Sequence, residues 1–239
     1  FQPLQGMSDL ASPDVHLWQE VEETARRLLA LYQVGEVRTP ILEPTGLFVR
    51  SLGEGTDVVQ KEMYTFEDRG GRPVSLRPEG TAGVIRAICA AGPDAADARW
   101  YYVGPMFRAE RPQAGRKRQF HQVGVECMGA PSPAADAECI ALQLHLLETW
   151  GLAGCELHVH TRGLPEDQAA VREGLCASLR PKAERLCEEC RRRLESHPLR
   201  ILDCKNPDCR AVVDGIPPAL SHMGPAAREY LDRVVLLLA

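Results

Sequence analysis

The segment "YYVGPMFRAERPQAGRKRQFHQVGVE", Tyr101 to Glu126, constrains the fold more than any other stretch. Two apolar runs flank a loop that carries Arg108, Arg111, Arg116, Lys117 and Arg118 and turns on Pro112 and Gly115. This pattern predicts an antiparallel hairpin with strands at about 101–108 and 118–127. Alternation in the second strand puts His121, Val123 and Val125 on one face, and Phe120, Gln122, Gly124 and Glu126 on the other. On that second face Gly124 leaves a gap between two polar side chains, which is room for a ligand lying on the sheet. Arg108, at the loop end of the first strand, is placed to hold a phosphate bidentately. Arg116 and the turn backbone could close over further phosphates, and the Phe120 ring could stack on a planar base. The plain alternative is a solvated loop whose arginines pair with surface carboxylates, for about 0–1 kcal/mol each.

The charge of the whole chain sets a limit on that reading. At −5 over 239 residues the protein is no basic nucleic-acid coat, so any RNA contact must be local. Aromatic residues make up 5%, so the core must be built from Leu, Val, Ile and Ala. No apolar run approaches membrane-spanning length, and "VVLLLA" near the end is too short. The first residues show no basic segment followed by an apolar one, so a secretion signal is not expected, and the absent starting Met points to a few trimmed residues. The expected location is cytoplasmic, with the nine cysteines reduced, buried or metal-bound rather than paired.

Other elements follow from local signals. Ser12-Pro13 predicts a helix start, with Ser12 as cap and the apolar face Val15, Trp18, Val21, Ala25, Leu28, Leu29 and Tyr32, ending at Gly35. "GEVRTPILEP" predicts a short strand from Glu36 to Leu42, which Pro40 assigns to an edge or to a close contact with another chain. A hairpin is expected at 62–67 and 74–77 around Gly70-Gly71, then a helix capped by Thr81. Glu79 stands where strand becomes helix, so the helix N-terminus stabilises its carboxylate, which could hold an ammonium group. A plain capping turn is the other reading. A helix at about 134–151 stops at Gly151, and "CELHVHT" alternates like a strand, with His158 and His160 on its polar face. Beyond about residue 162 charged helical segments dominate. The expected division is therefore a mixed domain, 1–162, and a helical one, 163–239.

At this point the residues support a resemblance. "VGPMFRAERPQAGRKRQFHQVGVE" is similar to motif 2 of class II aminoacyl-tRNA synthetases, in the form found in histidyl-tRNA synthetases. "LRPEGTAG" resembles the histidine-binding turn of that family, "VRTPILEP" its motif 1, and "PLRILDCKNP" its insertion domain. The resemblance implies an α+β fold: the antiparallel class II sheet, incomplete, flanked by helices, with a helical insertion. It implies an ATP-dependent ligase that activates histidine to histidyl-adenylate and transfers it to tRNA(His), with Mg²⁺ accompanying ATP. Arg108 would contact the α-phosphate as the catalytic residue. Glu110 and Arg116 would lie near ATP, and Phe120 would pack on adenine. Glu79, Gly80, Thr81, Gln122 and Glu126 would surround histidine. The strand around Pro40 would form a homodimer interface. Lys117 stands where the family pattern leads one to expect an aromatic residue. The family's glycine-rich strand, motif 3 and anticodon-binding domain have no counterpart here, so the resemblance implies an N-terminal portion with little or no charging activity of its own.

Cys187, Cys190, Cys204 and Cys209 follow C-x2-C and C-x4-C spacings with thirteen residues between the pairs. Two such pairs can complete a tetrahedral Cys₄ zinc site with Zn–S bonds of about 2.3 Å. The first pair reads as helical, where zinc knuckles prefer turns, so four reduced thiols are the alternative. The remaining cysteines, Cys89 and Cys139 among them, read as small core residues. Arg191–Arg193 reads as a solvated helix face. Two further functional readings stand beside the ligase. One is a synthetase-like regulatory subunit of ATP phosphoribosyltransferase, against which the intact "FRAERP" and "LRPEGT" forms weigh. The other, a stand-alone zinc-binding module, accounts only for the later part of the chain.

Overall fold

The computed structural model describes all residues, Phe1–Ala239. The chain divides into two compact units, Phe1–Cys155 and Glu156–Ala239.

The first unit is built on the hairpin. Strands β5 (Arg99–Phe107) and β6 (Gln119–Cys127) pair antiparallel over their whole length, with Tyr102 opposite Gly124 and Gly104 opposite Gln122. The edge strand β1 (Gly35–Glu36) runs parallel to β5, so the sheet β1-β5-β6 is not wholly antiparallel. Strand alternation sorts its two faces. Tyr101, Val103, Val123 and Val125 meet Ala25, Leu28 and Leu29 of helix α1 (Asp14–Leu31) and Leu142 and Leu146 of helix α4 (Pro133–Thr149). Tyr102, Met106 and Phe120 face the other way, against Val84 and Ile88 of helix α3 (Thr81–Ala91). Each such fully buried aliphatic side chain contributes about 1.5–3 kcal/mol relative to exposure.

A second small sheet has the order β2-β4-β3, from Leu42–Pro44, Pro73–Leu76 and Thr65–Glu67. The strand expected over Glu36–Leu42 is therefore two strands in two sheets. Pro40 lies in the gap between β1 and β2, where a residue without an N–H cannot extend either ladder. The first strand of the expected 62–67 hairpin starts only at Thr65, because Val58–Glu62 winds into a π-helical turn after helix α2 (Thr45–Leu52). The turn chemistry is as the glycines indicate: the Asp68 carboxylate accepts from Gly70 N and Arg72 N, and Gly71 has φ +73.

Two caps differ from expectation. Ser12 does not cap α1; its hydroxyl meets His16 Nε2 at 3.2 Å, and the helix begins after Pro13 without a side-chain cap. It ends at Leu31, because Gln33 takes φ 56 and Val34 N turns back to the Leu29 carbonyl before Gly35 is reached. Thr81 is the first residue of α3 rather than its cap, and Glu79 does the capping.

The "CELHVHT" stretch, at the junction of the two units in sequence, forms no strand; His158 instead meets Glu156 at 3.3 Å. The second unit is helical. Helices α5 (Asp167–Leu179), α6 (Glu188–Ser196), α7 (Pro207–Val213) and α8 (Pro225–Leu238) follow. Leu175, Leu179, Leu186, Leu194, Ile201 and Val212 bury together with Cys190 and Cys209. Asp167, buried at the start of α5, accepts from Leu164 N at 2.8 Å and Gly224 N at 2.7 Å, and so ties the entry of α5 to the entry of α8. On α6 both Arg192 and Arg193 pair with Glu189, the solvated arrangement expected of that run. No helix is long and apolar enough to cross a membrane.

Candidate active site

The α3 face of the hairpin gathers most of the residues singled out above. Glu79 precedes the helix and folds both carboxylate oxygens onto its open end. Oε2 accepts from Thr81 N at 2.6 Å and Oε1 from Ala82 N at 2.9 Å. Two of the helix's unpartnered N–H groups are thereby satisfied, and the helix dipole favours the negative charge.

Across from this turn stands Glu126, half-buried on β6. Burial pushes its carboxyl above the ordinary 4.5, the Thr81 hydroxyl beside it pulls the other way, and Glu79 adds a like charge that raises it further. Two carboxylates close enough for one to raise the other favour a cation between them. The Gln122 side chain points to the same face of the strand, and its Oε1 is buried without a hydrogen-bond partner.

Gly124 does not leave an open gap. A Cβ there would stand 2.2 Å from the Tyr102 ring and 2.3 Å from its hydroxyl, and a Cβ on Gly80 would also stand 2.2 Å from the same ring. Tyr102 fills the space between the two glycines, 7% exposed; burial pushes its hydroxyl up, the Thr81 side chain pulls it down, and the charges on Glu126 and Glu79 raise it further. The missing side chains serve the packing of a tyrosine first, and that tyrosine forms the floor between Thr81 and Glu126. Reading the hairpin in register from the sequence could have found it, since Tyr102 lies directly across from Gly124.

The arginines form the other end. Arg108 Nε donates to the Pro78 carbonyl at 2.9 Å, which ties it to the Glu79 turn. Its guanidinium lies 5.3 Å from the centroid of the Phe120 ring. Glu110 stands between two arginines, 3.8 Å from Arg108 and 3.1 Å from Arg116. The plain alternative for the loop is thus partly met: these arginines do have a carboxylate partner. The partner is only 17% exposed and is shared, so it holds two guanidinium groups beside each other. Arg111 and Lys117 take no part in this group; Lys117 Nζ reaches Ser8 Oγ at 3.2 Å.

Arg77 escaped notice in the sequence. It is 7% exposed, and it donates from Nε to the Pro105 carbonyl at 2.9 Å and from Nη1 to the Thr39 carbonyl at 3.0 Å. Gly104 is the residue that admits it, since a Cβ there would lie 2.7 Å from Arg77 Nη2. Burial lowers its pKa from the usual arginine range. This side chain joins the segment before β2, the end of β4 and the end of β5, and so sets the spacing beneath the site.

His121 lies on the opposite face, 4.6 Å ring to ring from Trp18, and lines an apolar cavity of about 560 Å³ with Leu142 and Trp150. It faces away from the carboxylates, as strand alternation indicates.

In the second unit the four cysteines converge, and their sulfurs all lie within 4.8 Å of one another. The first pair straddles a helix start: Cys187 is the residue before α6, and Cys190 is buried in its first turn. The second pair brackets the Asn206 cap of α7, whose side-chain oxygen accepts from Asp208 N and Cys209 N. Cys187 N donates to Cys209 Sγ at 3.1 Å. The Cys190 N–H draws the Cys187 thiol down to about 7, while burial pushes Cys190 and Cys209 up. Cys89, expected in the core, is exposed, and Cys139 is half-buried.

Comparison with known proteins accords with this arrangement. A family profile described as histidyl-tRNA synthetase matches residues 6–188. A histidine–tRNA ligase of Desulforudis audaxviator (strain MP104C) is 50% identical over 232 residues, 96% of this chain and 55% of that protein. The chain thus spans about half the length of the curated relatives it matches. The crystal structure of the apo S. aureus histidyl-tRNA synthetase superposes with a TM-score of 0.77 at 31% identity, over 100% of this chain and 54% of that one. A Bacillus halodurans protein titled ATP phosphoribosyltransferase regulatory subunit/histidyl-tRNA synthetase shares the fold, with a TM-score of 0.62 at 20% identity over 99% of this chain and 65% of its own. With more than half its residues matched by that profile, and with the hairpin, turn and arginine loop arranged as described, the chain belongs to the histidyl-tRNA synthetase family.

Proposed function

We propose that this chain supplies the amino-acid and α-phosphate half of the active site of a histidine–tRNA ligase. The observation that carries the reading is the meeting of two subsites at one turn. Glu79, Thr81, Tyr102 and Glu126 cluster as an anionic group, and Arg108 is hydrogen-bonded to Pro78 beside it.

The chemistry follows from that placement. The α-ammonium and imidazole of histidine lie among Glu79, Thr81, Gln122 and Glu126, with Gly80 admitting Tyr102 beneath. The histidine carboxylate attacks the α-phosphorus of ATP, a new O–P bond forms, and the bond to the bridging oxygen breaks as pyrophosphate leaves with the electron pair. Arg108 holds the α-phosphate and stabilises the charge that builds there. Arg116 and Glu110 order the other phosphates, Phe120 packs on adenine, and Mg²⁺ enters with ATP as part of the substrate. In the second step the terminal ribose hydroxyl of tRNA(His) attacks the acyl carbon and AMP leaves. No protein nucleophile is needed, because positioning and electrostatics carry both steps. Dimerisation through the segment around Pro40 and a cytoplasmic location belong to the same reading.

The Cys₄ cluster is read as a structural zinc site of the helical insertion. Converging sulfurs, two helix starts and an N–H···S bond suit a tetrahedral thiolate set. One equivalent of zinc in protein purified without chelators is the expected result, and none contradicts the assignment.

The function is tested by ATP–pyrophosphate exchange and tRNA charging by the complete gene product, with each amino acid in turn. Histidine alone is expected to support both. A product that binds histidine but charges no tRNA would favour a regulatory subunit of ATP phosphoribosyltransferase instead. Exchange driven by another amino acid would overturn the assignment.

A further inference from the structure

Residues 1–10 contribute to no core cluster, and most are exposed. Their backbone is nonetheless fastened to the arginine loop. Gly6 turns the chain at φ +82, and its carbonyl accepts two N–H groups, from Arg118 at 2.7 Å and from Gln119 at 3.2 Å. The carbonyl of the same Arg118 accepts the Arg108 N–H at 2.9 Å. The Arg118 side chain adds an Nε bond to the Glu110 carbonyl at 3.1 Å, and Lys117 reaches Ser8. Arg118 therefore joins the N-terminal segment on one side to Arg108 and Glu110 on the other. Beyond it the loop closes on itself through the Gln113–Arg116 backbone pair and the Arg116–Glu110 ion pair, and on its other side Ala109 N donates to the Glu62 carbonyl at 2.7 Å. An exposed polar loop with so few closing contacts is sensitive to whatever holds its base.

Gly6 is suited to that contact in two ways. Its φ lies in the left-handed region that favours glycine. A Cβ there would stand 2.9 Å from Arg118 Cγ and 3.1 Å from Arg118 N, so a side chain at this position would push the two segments apart by a few tenths of an ångström.

We infer that the N-terminal segment is a strap that positions the phosphate loop, with Gly6 as its positioning residue, fixing Arg108 and Arg116 before the nucleotide arrives. The strap itself follows from the contacts above; its effect on ATP rests on the proposed function. Preformed donors cost no reorganisation at the moment of reaction, so holding the loop base contributes to ATP use rather than to histidine recognition.

The test compares Gly6→Ala with Gly71→Ala, whose φ of +73 imposes similar backbone strain but which has no atom within 4 Å to disturb. Hydrogen exchange of this chain is read first. Gly6→Ala is expected to speed exchange of the Arg118 and Gln119 amides on the order of tenfold, and Gly71→Ala to leave them unchanged. A variant that begins at Ser8 is expected to behave as Gly6→Ala while keeping the protection of β5 and α3, since no core residue is removed. In the complete gene product Gly6→Ala is expected to raise KM for ATP about five- to tenfold with KM for histidine unmoved. Unchanged exchange at Arg118 and Gln119 overturns the strap. Faster exchange with an unchanged KM for ATP, or an equal rise in KM for histidine, overturns the positioning role. A complete gene product that activates no histidine overturns the reading of the site, while the exchange result still decides the strap.

Discussion

Glu126 shows what single-residue chemistry can be checked. Its carboxyl is raised above 4.5, chiefly by burial. Between the unfolded and folded values the folded state binds the extra proton, so stability falls as pH rises through that window and stays reduced above it. Glu126→Gln is therefore expected to flatten the fall in melting temperature above about pH 4.5 and to stabilise the chain at pH 7. On the proposed reading the same variant loses a charged contact to the substrate ammonium, and it is expected to weaken histidine binding by about 10–100-fold. Superimposable stability profiles for the two proteins would count against the burial argument. Gly124 makes the complementary point. Gly124→Ala forces the Tyr102 ring out of its slot, an overpacking change expected to cost about 1–3 kcal/mol in denaturant unfolding. Stability within error of the wild type would mean that the ring yields freely and does not form the floor of the site.

Among the elements, α3 depends on a cap that is also a residue of the proposed site. Glu79→Gln keeps the shape and one acceptor oxygen but removes the charge at the helix N-terminus. The expected loss is about 1 kcal/mol in unfolding free energy, and a gain would contradict the capping role. This element also shows how far sequence reading reaches. The hairpin, its face assignments and the helix after Glu79 were all legible, because period-two alternation and helix-start signals are local. The identity of the cap was not, because Thr81 and Glu79 are both plausible by type and only the backbone path decides between them. Tyr102 is legible only in part: its place opposite Gly124 follows from the hairpin register, whereas its contact with Gly80 depends on a second element meeting it. The "CELHVHT" stretch alternates like a strand, yet it pairs with nothing, and a strand without a partner leaves its N–H and C=O groups to water.

At the scale of the whole molecule the two units have separate cores: the first packs one on each face of the β1-β5-β6 sheet, and the second packs one around the four cysteines and a smaller one at Val171, Met223 and Ala227. The cysteine spacing foretold the cluster, whereas the helix starts that aim the thiols became apparent only in three dimensions. With zinc bound, the free energy of metal binding becomes folding free energy of the second unit. A strong chelator is then expected to lower the melting transition of that unit by about 10 °C or more and to leave the first unit's transition in place. A chelator without effect on either transition would contradict a structural metal. The central claim concerns the other unit: that the Glu79–Glu126 pair and Arg108, brought together by a turn and a hairpin, form the proposed site. It is tested most directly by the single-turnover rate of histidyl-adenylate formation in the complete gene product and its Arg108→Ala variant. The account predicts a fall on the order of 10²–10³-fold with little change in histidine affinity, and an undiminished rate would contradict it.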